Sequence, residues 1–161
     1  MEINFLALLV AALSTLVVGF IWYNPKVFGT VWMREAGVSE QSMKGGNMIR
    51  IFVMAFIYAF LISFVLQSIV IHQFGAMGMV GGDVTKAKPS YFAFMADYEN
   101  AFRTFKHGVF HGFITGLFLA LPIIGTNAIF ERKSWRYTLI NGGFWIICLM
   151  LMGGIICGWV K

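Results

Sequence analysis

Residues 108–130 read GVFHGFITGLFLALPIIGTNAIF and residues 137–160 read YTLINGGFWIICLMLMGGIICGWV, with only ERKSWR between them. Each run is longer than the about 20 helical residues that cross about 30 Å of hydrocarbon, and neither carries a charge. A connection of six residues, Glu131 to Arg136, makes the two helices antiparallel neighbours. Two more runs of the same kind lie upstream, Ile3 to Tyr23 and Ile49 to Ile71, whose one charge is Arg50 at the start of the second. The fold class read from this pattern is an all-α membrane protein. Four transmembrane helices, at about 3–23, 49–71, 108–130 and 137–160, form an up-down bundle that takes in residues 1–161 as one membrane domain.

Composition agrees: 59% of residues are apolar, 12% are charged, and the mean hydropathy is +0.79. A water-soluble domain carries about a quarter charged residues, so lipid rather than water must touch most of this surface. The excess of 12 basic over 7 acidic residues lies between the apolar runs. That placement fits membrane loops and lipid headgroups as partners, and no basic stripe with interleaved aromatics supports nucleic acid. The first run is read as an uncleaved helix, because Met1-Glu2 offers no positive n-region and no small-x-small site follows. Cys148 and Cys157 stand nine residues apart on opposite faces of one helix, about 13 Å along its axis, and cannot pair. They read as small packing residues.

The connections carry amphipathic patterns. Asn24 can cap a helix that Pro25 opens, and Val27, Phe28, Val31 and Trp32 then share a face until Gly37, which predicts a short interfacial helix. Val38 to Asn47, with Gly45-Gly46, reads as a polar loop. In the second connection Gly75 to Gly82 reads as irregular, and Tyr91, Met95, Tyr98, Phe102 and Phe105 predict a second interfacial helix running into the third span. Trp22, Tyr23, Trp32, Trp135 and Tyr137 are the expected interfacial anchors.

Loops one and three hold Lys26, Arg34, Lys44, Arg50, Arg132, Lys133 and Arg136; the other face holds Lys86, Lys88, Arg103, Lys106 and Lys161. The richer face is expected in the cytoplasm, which puts both termini on the non-cytoplasmic side of a plasma membrane.

Lipid gives helices no hydrophobic reason to associate, so small residues should mark the seams. Gly108, Gly112 and Gly116 form one row, and Ala7, Ala11, Thr15 and Gly19 a matching one. Pro122 removes an amide donor and predicts a kink in the third helix. Polar groups within spans are costly and come first as candidate sites. Asn127 and Asn141 should meet across the hairpin, near Glu131 with a basic neighbour to compensate it, and with Asn24 they make up a candidate polar site. The three histidines, His72, His107 and His111, fall at the opposite end. The last two share a helix face and could hold a metal or haem if His72, Asp97 or Glu99 supplies a third ligand. No cofactor is expected on the sequence, and no nucleophile elbow, phosphate loop or nucleotide fingerprint points to an enzyme.

Several short pieces, taken in order, resemble a known family. They are Trp22-Tyr23-Asn24-Pro25 with Phe28-Gly29 and Trp32; His111-Gly112 with Gly116; Asn127 with Phe130-Glu131; Asn141-Gly142-Gly143-Phe144-Trp145; and Met152-Gly153. Together they resemble domain of unknown function 1761, a family of small bacterial multi-pass membrane proteins. The resemblance implies a four-helix membrane domain and a bacterial inner membrane, and it implies no reaction. The sequence is therefore read first as a non-catalytic membrane module that associates with copies of itself or with other membrane proteins. A carrier or channel for small solutes or ions is the alternative, and a histidine-based metal or haem protein the second.

Overall fold

The structure, a computed structural model, describes residues 3–39, 41–42 and 46–160. Met1, Glu2, Lys44, Gly45 and Lys161, which enter the readings of charge and loops, lie outside the described residues. Four helices are long and apolar enough to cross a membrane: α1 (Phe5–Trp22), α3 (Met48–Val70), α6 (Phe105–Phe130) and α7 (Trp135–Gly158). Among the described residues the connections hold the short helices α2 (Thr30–Ala36), α4 (Gln73–Met79) and α5 (Pro89–Tyr98). No strand occurs among the described residues, and the chain is an all-α membrane protein.

All four long helices start in the same way. The side-chain oxygens of Asn4, Asn47, Thr104 and Ser134 accept from the backbone amides of Ala7, Arg50, His107 and Tyr137, at 3.1, 3.0, 3.2 and 3.2 Å. Each cap satisfies an orphan donor and contributes about 1 kcal/mol. The hairpin between α6 and α7 closes through a left-handed Arg132 (φ 54°), with Arg132 N–H donating to Ile129 and Lys133 N–H to Ala128. This is a Schellman closure made without glycine.

Helix α7 is the hub, packing against α1, α3 and α6. Its buried Cys148, Leu149, Met152, Ile156 and Cys157 meet Leu8 and Ala11 of α1 and Leu66 and Val70 of α3. The row of α6 is spent on α7: Gly108 faces Gly153, Gly112 faces Leu149 and Gly116 faces Ile146. A Cβ at Gly108 or Gly112 would overlap the backbone carbonyl of Gly153 or Leu149, so the two helices touch backbone to backbone. In α1, Ala7, Ala11 and Thr15 are buried, and Gly19 lies against the Phe144 ring. Pro122 is accommodated by a widened π turn at Gly116–Ala120, in which Leu121 N–H reaches back to the Gly116 carbonyl. The wider turn relieves the clash between the proline ring and the preceding turn.

The second connection departs from its reading. Gln73–Met79 is helical rather than irregular, and the chain turns only at Gly81 and Gly82, both in the left-handed region. Helix α5 stops at Tyr98 instead of running on, so Phe102 and Phe105 leave its stripe. The cause is local. Buried Gln73 donates through Nε2 to the carbonyls of Tyr98 (2.7 Å) and Ala101 (2.9 Å), and Thr104 caps a fresh helix three residues earlier than expected.

Candidate metal centre

Helix α6 begins at Phe105, so His107 and His111 sit one turn apart on its first two turns and project from one face. His72 follows the last turn of α3 and is brought over them by the α3–α6 approach. The three rings lie 4.9, 4.9 and 4.4 Å apart, centroid to centroid, in the pairs His72–His107, His72–His111 and His107–His111. One ligand nitrogen from each falls within 4.8 Å of the others, and Nε2 of His72 is 2.9 Å from Nε2 of His107. The third member of the group is thus His72; Asp97 and Glu99 are not in it.

The scaffold around the trio is built from backbone carbonyls. The Cys157 thiol lies 3.3 Å from the carbonyls of both Val70 and Phe102 and shares its hydrogen between them. It thereby fastens the end of α3, two residues before His72, to the strand of chain that enters α6. Arg103 donates to the carbonyls of Cys157 (3.2 Å) and Trp159 (3.3 Å), closing the C-terminus of α7 against the same segment. Between these ties Phe102 takes φ 61°, a left-handed conformation that costs a bulky residue about 1 kcal/mol or more. Its ring stacks on His107 at 5.1 Å and meets His72 edge-on at 6.1 Å. His72 is exposed and the other two are half-buried, so an ion can reach the site from the end of the bundle.

Three imidazoles suit zinc, copper or nickel. Metal–nitrogen bonds of about 2.0–2.1 Å at tetrahedral angles place ligand nitrogens about 3.3 Å apart. The observed range, from 2.9 Å to at most 4.8 Å, brackets that spacing. The C-terminus of α3 favours a cation and the N-terminus of α6 opposes it, which leaves the imidazoles to decide. A haem does not fit, because three rings in mutual contact leave no slot for a porphyrin between any two.

Residues 6–157 match the family described as "Protein of unknown function (DUF1761)". The chain belongs to that family. No curated protein and no solved structure matches it.

In this DUF1761 chain the other candidate polar site does not assemble as read. Asn141 donates to the Tyr137 carbonyl (2.9 Å) and accepts from the Tyr23 hydroxyl (2.9 Å), so its amide is engaged by its own helix and by the end of α1 rather than by Asn127. Asn127 is exposed beside buried Ala128, which takes the seam position on α6. Glu131 is exposed, and the ion pairs among the described residues are Arg34–Glu35 and Lys86–Asp83. Lys133, one of its expected partners, instead donates to the Ala36 carbonyl at 2.7 Å. Asn24 acts as the expected cap, accepting from Lys26 N–H at 3.0 Å.

The anchors divide. Trp22 turns inward to donate to the Ile140 carbonyl (3.0 Å), and Tyr23 packs on Trp32 (5.3 Å) and Phe144 (5.1 Å). Trp135 stays exposed under Arg136, and Tyr137 lies under Lys133. Sequence reasoning missed Glu35, which accepts from the Ser134 hydroxyl at 2.6 Å and ties α2 to the start of α7. That hydrogen bond, with the Arg34 pair, holds the Glu35 carboxyl below the usual carboxylate range. It missed Cys157 and Gln73 as well, since neither residue type announces a role in holding backbone.

Proposed function

We propose that this protein binds one divalent transition-metal ion, of the zinc or copper class, on His72, His107 and His111, and that it holds the ion rather than using it for catalysis. The observation that carries the reading is the convergence of three imidazoles from two helices, with ligand nitrogens within 4.8 Å. It raises the histidine reading above that of a carrier, because the two larger cavities described between the long helices are walled mainly by Leu, Ile, Val and aromatic side chains, and a third, of about 20 Å³, is too small for a solute. Such walls offer a hydrophilic solute no path.

The test is zinc titration by calorimetry on protein purified through a tag without histidine. One ion per chain is expected. Alanine at any one of the three positions should lower affinity by at least about 100-fold, the upper range for loss of a mere supporting partner. Helix content should not change. Full affinity in any of the three variants would contradict the site.

The orientation proposed is loops one and three in the cytoplasm of a bacterial cell, so that the histidine end meets metal from outside; the excess of basic residues on loops one and three supports it. Reporter fusions at residue 42 and residue 82 should therefore report opposite sides. Association with a copy of the chain or a larger membrane complex stays as a second reading, favoured by the N-terminal half of α3. There Ile51, Phe52 and Val53 stand exposed, Ile51 and Phe52 on the open cleft that separates α3 from α1 and α7. Native mass spectrometry from membranes tests it, with a metal-independent dimer or complex expected and a monomer counting against it.

A further inference from the structure

We propose that the metal's fourth position takes a small molecule made of one nitrogen or oxygen donor on an apolar body, seated in the pocket beside His72. The inference rests on the metal reading above. Three protein ligands leave a tetrahedral ion one position for an outside donor. Beside His72 is a pocket of about 270 Å³ lined by His72, Gln73, Phe94, Tyr98, Ala101 and Phe102. His72 and Phe102 belong to both structures: His72 is a ligand, and Phe102 packs on His72 and His107 while forming a wall of the pocket.

The chemistry of the pocket selects the body. Three of its six lining residues are aromatic, so a water or hydroxide at the metal would have little beyond the ion to bond. An aromatic or aliphatic body attached to the donor atom would displace that water and bury carbon against Phe94, Tyr98 and Phe102. Gln73 adds no open polar atom to the wall. Gln73 is 5% exposed, its Nε2 is committed to two carbonyls, and its Oε1 is buried without a hydrogen bond. The strained φ of Phe102 lies where the ligand trio and the pocket meet, the kind of place where backbone strain persists for function.

The experiment uses full-length protein loaded with Co²⁺, whose ligand-field bands report the donor set, titrated with imidazole and with 4-phenylimidazole. Both should shift the bands, and the phenyl compound should bind at least about tenfold more tightly. Ala101→Trp, which puts a large ring into the pocket and keeps all three histidines, should abolish that preference and leave the Co²⁺ bands in place. Phe94→Ala, which removes a wall, should reduce the preference and serves should the larger residue disturb folding. Equal affinity for the two compounds on Co²⁺-loaded protein would overturn the pocket alone. Absence of tetrahedral bands before any addition would overturn the metal site, and this inference with it.

Discussion

The two ends of the bundle are built by different physics. At the histidine end, small residues let α6 meet α7 backbone to backbone, and the buried residues of α3 all fall in its C-terminal half, from Ala59 to Val70. At the other end α3 stands away from α1 and α7 across a cavity of about 670 Å³, and no residue from Met48 to Tyr58 is buried. There hydrogen bonds join the aromatic packing of Tyr23 on Trp32 and Phe144: Trp22 on Ile140, Tyr23 on Asn141, Ser134 on Glu35 and Lys133 on Ala36. Close packing fixes side chains to within a fraction of an ångström and can assemble a coordination site; hydrogen bonds at helix ends hold elements together while leaving a cleft between them.

The largest effect should come from forcing the tight end apart. Gly108→Leu drives a side chain into the Gly153 carbonyl, and the overpacking should cost about 3 kcal/mol or more in SDS titrations and abolish zinc binding. A Cβ at Gly125 would meet only the Thr138 methyl, at 3.4 Å, so Gly125→Ala should be nearly neutral in the same assay. A smaller contrast separates the halves of α3. Leu66→Ala in the packed half should cost about 2 kcal/mol, toward the low end for a buried leucine, because an apolar bilayer removes the solvent-transfer share of the loss. Phe52→Ala in the splayed half should cost less than about 0.5 kcal/mol. Equal costs would mean that α3 packs along its whole length.

The polar end should respond more weakly still. Tyr23→Phe leaves the Asn141 carbonyl without its donor and should cost about 1 kcal/mol, with zinc affinity unchanged. The smallest effect concerns pH. The folded carboxyl of Glu35 titrates below its ordinary value, so its stabilising contribution is present above the unfolded pKa of about 4.3 and is lost as pH falls through the folded value. Glu35→Gln should flatten stability across that acid range, and an unchanged profile would mean that the tie to Ser134 contributes nothing.

The same contrast explains what could be read in advance. Four apolar helices, their ends to within three residues, the short helix after Pro25 and the antiparallel hairpin all follow from runs of apolar residues and local caps, which depend on neighbours in sequence. The i, i+4 pair His107 and His111 was legible for that reason. His72 stood beside Asp97 and Glu99 as a possible third member, and which of the three converges on the pair was not legible, because it depends on how far α3 leans and where the chain turns after Tyr98. A signal did exist: Thr104, three residues before His107, is a helix-capping residue type, and it would have moved the start of α6 to include both histidines. The pairing expected between Asn127 and Asn141 failed for a rotational reason. Shared depth in the membrane does not put two residues on facing sides, and Ala128 holds the position that faces α7.

X-ray absorption at the zinc edge of the loaded protein tests most directly whether one end of the bundle assembles a coordination site. The expected spectrum has three imidazole nitrogens at about 2.0–2.1 Å and one further light donor. A spectrum with a single imidazole, or one unchanged in His72→Ala, would contradict the account.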